Sequence, residues 1–318
     1  MTDAFREDDF LAFIRAHSGA LGPHVLAGPG DDMAVIDLHG HALLLGVDQV
    51  IEGVHFAPGT SMEAVGRKSV TRNMSDVAAM AARPIATLAS CMLPMDVDPL
   101  AARRLLESVR RTALHYNAPL VGGDTALHRG HGPLSLSVTV LAEPISPSRP
   151  PVYRSGGKAG DRLYVTGTLG GSLKPDGSGK HLDFEPRLDE AEALAASLGS
   201  ELHAMMDLSD GLAQDAARLA EASGLQAVID AGSLPCTNGC TWREAMHDGE
   251  DYELLFAVGG THAVPTTVGR ARIHTRAVGV LQPLPMPGAP RVVCRLEDIE
   301  VSVGRMGHFH DAPRQAGA

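Results

Sequence analysis

Carboxylates in unusual places are the first chemical signal in this chain. The stretch "LLLGVDQVIEGVHF", residues 43–56, runs from an apolar segment that reads as a strand into Asp48, with His55 following in the next turn of chain. A carboxylate at the end of a buried strand must be paired, hydrogen-bonded or metal-bound to offset its desolvation. Asp48 has company: similar stretches run into acids at "GPGDD" (Asp31, Asp32), "NMSD" (Asp76), "LVGGD" (Asp124), "MMDLSD" (Asp207, Asp210) and "DGED" (Asp248, Glu250, Asp251). Taken singly, Asp76 and Asp215 read first as helix caps or members of a solvated helix face. Capping does not account for "GVD" and "GGD" at strand ends. Several hard oxygen ligands beside glycines suit Mg²⁺, which combines carboxylates with substrate phosphates. The set therefore points to metal-assisted phosphate chemistry.

Other phosphate-handling patterns are missing. "GSGKH" has neither the upstream glycine nor the hydroxyl residue of a Walker loop, and the protein-kinase signature set is absent. "GPGDDM" lacks the third glycine of a dinucleotide fingerprint and leads into acids that would repel a pyrophosphate unless metals intervene. Magnesium would then carry much of the charge of any bound phosphate.

These acids need elements to bring them together. Periodicity predicts a helix ("DDFLAFIRAH"), a glycine-rich turn ("AGPGDDMAV"), a strand ("HALLLGVD"), a long helix ("SMEAVGRKSVTRNMSDVAAMAA"), a strand ("IATLASCML"), a helix ("PLAARRLLESVRRTALHYN") and two strands ("PLVGGD", "LSLSVTVLAE"). Prolines and small residues in "PISPSRPPVYRSGGKAGD" interrupt all periodicity and set a domain boundary at 148/149. The pattern restarts with "DRLYVTG", a glycine turn, a helix around "DEAEALAASLG", a strand into "MMDLSDG", the helix "LAQDAARLAEASG" and the strand "YELLFAVG". Alternating strands and helices give an α/β or α+β class with two domains, 1–148 and 149–318. In open sheets of this kind the strand ends form the ligand crevice, so acids scattered in sequence can converge there. "KPDGSGKH" (residues 174–181) reads as an exposed, mobile loop.

Composition narrows the function classes. A formal charge of -11 over 318 residues argues against a nucleic-acid or anionic-membrane binder, since both need clustered Lys and Arg. The acidic start "MTDAFREDDF" is unlike a signal peptide and no apolar run reaches bilayer length, so a cytoplasmic protein is expected. Its four cysteines read as free thiols, because one CxxxC ("CTNGC") without a second half is weak as a zinc site.

Seven segments, "GDDMAV", "DQVIEGVHF", "NMSDVAAMAARP", "VGGDT", "RSGGKAGDRLYVTG", "DLSDGLAQD" and "GEDYELLF", occur in an order and spacing that resembles the thiamine-monophosphate kinases of the aminoimidazole-ribonucleotide-synthetase superfamily. The resemblance spans about residues 31–256. It implies an AIR synthase-like fold: an N-terminal domain whose mixed sheet pairs with its twin in a barrel-like homodimer, and a C-terminal αβ domain. It also implies Mg²⁺ and ATP, and thiamine monophosphate as acceptor. Carried over by position, Asp32, Asp48, Asp76, Asp124, Asp207 and Asp210 resemble magnesium ligands. Gly123, Asp124, Arg154 and Ser209 resemble ATP contacts, and His55, Glu250 and Asp251 resemble acceptor contacts. Asp48, Asp124 and Asp210, with Arg154, would carry catalysis. The chain departs from the family pattern at Gly46 and Val47, where hydroxyl residues are usual, at Ala126, and in the "HDGEDYEL" lead-in. It departs again at Met306, where an aromatic usually packs on the thiamine ring and a thioether can still cover it. Two other readings fit the same residues: a superfamily ligase or amidine-forming synthase on another phosphorylated molecule, and a non-catalytic nucleotide-binding regulator.

Overall fold

The computed structural model describes residues 7–19, 21–130, 132–146, 149–297 and 299–301. Its first half contains α1 (Glu7–His17), β1 (Val25–Ala27), β2 (Ala34–Leu38), β3 (His41–Ile51), α2 (Met62–Ala79), β4 (Ala82–Pro94), α3 (Pro99–His115), β5 (Leu120–His128) and β6 (Ser135–Pro144). The strands form one mixed sheet in the order β1-β2-β3-β6-β4-β5. Along β4, buried and exposed residues alternate, so one face packs on helices and the other stays open. α3 starts where the sequence says it should. Asp98 caps the amides of Leu100 and Ala101, Pro99 occupies the first turn, and Leu105, Val109 and Ala113 face inward.

The second half contains β7 (Arg162–Thr166), α4 (Leu188–Leu198), β8 (Leu202–Asp207), α5 (Leu212–Ala222), β9 (Leu225–Asp230), α6 (Trp242–His247), β10 (Leu254–Val258), β11 (Thr267–Val268), β12 (Ile273–Pro283), β13 (Val292–Leu296) and β14 (Ile299–Val301). Its sheet runs β14-β13-β9-β12-β7-β10-β8, with β11 beside β12. Leu212, Ala216 and Leu219 of α5 join the core on one side of this sheet, and Leu194 and Leu198 of α4 join Met205 and Phe256 on the other.

α2 links the halves. It is buried almost all round, Lys68, Thr71, Asn73 and Ser75 included, because it also packs against α4 and β8. No helix among the described residues is long and apolar enough to cross a membrane. The four cysteines are free thiols.

Two expectations about strand ends need correction. β3 does not stop at Asp48: its ladder with β6 continues from Asp48↔Val138 to Ile51↔Ser135. β5 likewise continues past Asp124 to His128, paired in parallel with β4. Gly123 serves this pairing directly, since a Cβ there would lie 1.9 Å from the Ala89 carbonyl oxygen at a φ of +155°.

Candidate active site

Three carboxylates meet where the two sheets' domains join. Asp32 comes from the turn before β2, Asp76 from the interior of α2, and Asp207 is the last residue of β8. Each offers an oxygen within 4.8 Å of the other two. Asp76 is therefore neither a cap nor part of a solvated face. Ser75 Oγ donates to Asp207 Oδ2 at 2.6 Å, tying α2 to the second domain beside the cluster. Burial, then repulsion from Asp48, Asp207 and Asp32, pushes the Asp76 carboxyl well above its ordinary pKa. Burial, then Asp32, does the same to Asp207. The cluster holds more negative charge than its own hydrogen bonds offset.

Arg154 forks onto Asp32, with Nε to Oδ2 at 3.1 Å and Nη2 to Oδ1 at 2.5 Å. Its backbone amide donates to both Asp31 oxygens at 3.2 Å. Burial opposes the guanidinium charge, but Asp32 outweighs it and keeps Arg154 protonated. Asp31 lines a cavity of about 510 Å³ together with Arg15, Gly28, Tyr153 and Arg218. A cavity of similar size, about 510 Å³, lies between residues 53–58 and 173–177, with His55 in its wall. A further cavity, about 1220 Å³, lies between α2, α3 and residues 179–185. It contains none of the clustered acids.

The other acids named from the sequence fall elsewhere. Asp48 faces Arg72, with Nη2 to Oδ1 at 3.4 Å, and after burial its charge is the strongest influence raising the Asp76 carboxyl. Asp124 is exposed on β5 opposite Ser90, on the open side of the sheet, so one chain does not bring it to the trio. Asp210 pairs with Arg218, and its amide donates to Asp215 Oδ2 at 3.0 Å. Ser209 accepts the Glu250 amide on its carbonyl at 2.7 Å.

His55 Nδ1 accepts the Ile51 amide at 3.1 Å. Glu250 is buried against Lys68, Nζ to Oε1 at 2.8 Å, and His181, Nδ1 to Oε2 at 3.0 Å. Asp251 accepts Gly170 N at 2.9 Å and Ser172 Oγ at 2.5 Å. Both acids, expected from the sequence as acceptor contacts, are engaged in these internal bonds. Met306 lies outside the described residues.

Asp215 is expected from the sequence as a cap or on a solvated face, and Lys68 and Arg72 are not singled out there. Asp215 is wholly buried, joined to Arg218 at 3.1 Å, and raised to about 7 by burial and by Asp210. Its spacing to Arg218 along α5 was a readable ion-pair signal. Lys68, Arg72 and Asp76 follow one another at helical spacing on α2 and mark a single charged face. His181, expected in a mobile loop, is 0 % exposed. Only its glycine-rich surroundings were visible, and they suggested the opposite.

Two family models match the chain: AIR synthase related protein, N-terminal domain, over residues 30–143, and its C-terminal domain over residues 158–281. The thiamine-monophosphate kinase of Rhodopirellula baltica is 36% identical over 276 residues, covering 81% of this chain and 83% of that protein. This chain belongs to the thiamine-monophosphate kinase family. Its fold agrees with membership. A solved structure of AaThiL complexed with AMPPCP and TMP superposes with a TM-score of 0.77 at 26% identity, over 97% of this chain and all (100%) of the other. The thiamine monophosphate kinase of Aquifex aeolicus superposes with a TM-score of 0.70 at 28% identity, over 87% of this chain and 96% of the other.

Proposed function

We propose that the chain transfers the terminal phosphoryl group of ATP to the phosphate of thiamine monophosphate, forming thiamine diphosphate and ADP. The observation that carries this reading is the trio Asp32, Asp76 and Asp207, assembled from both domains beside Arg154. Its support from outside the chain is the similarity to AaThiL, which binds an ATP analogue and TMP together. The ligase, synthase and regulator readings have no comparable support.

The donor chemistry fits Mg²⁺. Three hard carboxylates, two of them driven toward protonation by burial and mutual repulsion, form a set that a divalent cation would relieve. Asp32, Asp76 and Asp207 would hold it, with Asp48 adding negative potential from β3. Bound Mg²⁺ supplies charge neutralisation between the two phosphate-bearing substrates. The attacking group needs little activation, because a phosphate monoester with a second pKa of about 6 is largely ionised near neutral pH. What remains for the protein is positioning and charge. Arg154, held protonated by Asp32, would stabilise the transferring group. The arginine-bearing cavity beside Asp31 suits the nucleotide, and the cavity walled by His55 suits the acceptor; both lie within the usual size of ligand pockets, about 300–1,000 Å³.

The working unit in this reading is a homodimer. Val47, Leu88 and Met92 stand 66%, 40% and 41% exposed on the open face of the first sheet, beside the bare strand β5. A second copy seated there would cover them and bring Asp124 to a shared interface, in line with the dimer barrel expected from the family. The protein would work in the cytoplasm on small molecules, without nucleic acid. The deciding experiment incubates it with ATP, Mg²⁺ and thiamine monophosphate and follows ADP, inorganic phosphate and thiamine diphosphate. Thiamine diphosphate equal to ADP establishes the kinase. ADP with inorganic phosphate and no diphosphate product overturns it.

A further inference from the structure

Lys68 is among the largest fully buried side chains of the described residues, and nothing in the phosphoryl chemistry above uses it. Its ammonium donates to the His55 carbonyl at 2.6 Å and Glu250 Oε2 at 2.9 Å, and lies 2.7 Å from His181 Nδ1. His181 passes the connection on. Its Nδ1 also lies 3.0 Å from Glu250 Oε2, and its Nε2 donates to the Gly177 carbonyl at 3.1 Å, so the ring bridges the buried Lys68–Glu250 pair and the loop. His55 belongs to one wall of the 510 Å³ cavity and Gly177 to the other. The walls touch there. A Cβ on Gly177, whose φ is +79°, would lie 2.5 Å from Ala57 Cβ.

The segment 248–253 anchors the same arm of chain at every acid it contains. Asp248 accepts Gly171 N at 2.8 Å, Asp251 holds Gly170 and Ser172, and Glu253 pairs with Lys180 at 2.8 Å and Arg187 at 2.6 Å. Between the acids, Tyr252 stacks on Phe184 with ring centroids 3.9 Å apart. Glu250 and Tyr252 adopt left-handed φ values of +64° and +51°, which aims neighbouring side chains at one target. Residues 170–187 are therefore clasped, and the clasp meets the first domain at Lys68.

We propose that Lys68 and His181 are positioning residues that lock the 173–177 and 53–58 walls together and so set the affinity for the acceptor. The proposal rests on the kinase reading for the identity of that acceptor. Neither residue touches the reacting atoms. Loosening the lock misplaces the acceptor and leaves the nucleotide side untouched.

The test compares wild type, His181→Leu and His181→Gln in steady-state assays with thiamine monophosphate and ATP varied in turn. His181→Leu is expected to raise the acceptor KM by about tenfold or more, with the ATP KM unchanged. His181→Gln, which can accept from Lys68 and donate to Gly177, should recover most of the loss. An unchanged acceptor KM, or equal rises in both KM values, overturns the proposal. Should His181→Leu fail to fold, Gly177→Ala replaces it, since it parts the walls at the surface and is expected to show the same selective rise. Should wild type make no thiamine diphosphate, the kinase reading fails by itself. The lock is then judged by hydrogen exchange: amides of 173–179 are expected to exchange at least about tenfold faster in the variant, and unchanged exchange overturns it.

Discussion

Two groups of buried acids lie in this molecule, and they are unlike in one respect that decides their roles. In the clasp, Glu250 meets Lys68 and His181, and Glu253 meets Lys180, Arg187 and Thr166 Oγ1. Burial works against both charges, yet these donors outweigh it and hold both carboxyls below their ordinary range. In the cluster, Asp76 and Asp207 have burial and like charges around them, and their carboxyls move the other way. The clasp is complete as it stands. In the cluster, burial and like charges outweigh the donors present, Ser75 Oγ on Asp207 and Arg154 on Asp32. Acids that look equivalent in sequence are thus separated into structural and functional sets by whether protein donors satisfy them.

The sharpest test of that contrast is Asp207→Asn. The amide oxygen can still accept from Ser75, so the fold is kept while a charge leaves the cluster. Turnover is expected to fall by about 10²-fold or more, whereas the metal-free protein should melt at a higher temperature because repulsion is relieved. A lower melting temperature would make the cluster a structural site like the clasp.

Glu253→Gln is the matching change on the other side. It leaves Arg187 and Lys180 facing a neutral group, and removing one partner of a buried ion pair costs about 3 kcal/mol or more. Urea unfolding should show that loss. Activity per folded molecule should change far less than in Asp207→Asn, and a parallel collapse of activity would erase the distinction.

A third comparison uses the metal alone. Mg²⁺ at roughly 100 times its dissociation constant should stabilise wild type by about 2.7 kcal/mol and leave Asp207→Asn nearly unmoved. Thermal melts with and without Mg²⁺ read this directly. Equal stabilisation of both proteins would place the cation outside the trio.

Much of the first domain was legible because its signals are local. The Asp98 cap with Pro99, the alternation along β4 and the apolar face of α3 each sit within a few residues of the element they specify. Asp32, Asp76 and Asp207 were also visible as candidates. Their selection from the wider set of acids was not. It depends on contacts such as Ser75 to Asp207, 132 residues apart, which exist only once α2 has docked on β8. The clasp was hidden for another reason. Its geometry needs left-handed backbone at Glu250 and Tyr252, at a cost of about 1–3 kcal/mol each, and no residue type in "GEDYEL" announces it. His181 runs against expectation because glycine-rich loops are usually exposed, whereas this one is bound to two buried carboxylates, Glu250 through His181 and Glu253 through Lys180.

Asp251 blurs the contrast and so offers its finest test. It lies in the clasp, but its hydrogen-bond partners among the described residues are an amide and a hydroxyl, and Lys180 acts on it only by its charge. Burial outweighs them and pushes its carboxyl up from 3.8 to about 7. A group raised in this way contributes stability that is fully present below its unfolded value and lost as pH rises through the folded value. Between about pH 4 and pH 7 the native state keeps a proton that the unfolded chain has released, so stability should decline with pH. Glu250 and Glu253 have the opposite sign, with contributions present above about 4.5 and lost on acidification. Asp251→Asn replaces the protonated carboxyl with a neutral isostere, so its unfolding free energy should be less pH-dependent than that of wild type across that window, with a small difference near pH 4 that changes in the variant's favour toward pH 7. Urea titrations of both proteins at several pH values measure it. A constant difference would mean that Asp251 is ionised throughout, and that neutral hydrogen-bond donors, without a hydrogen-bonded cation, are enough to keep a buried acid of this fold charged.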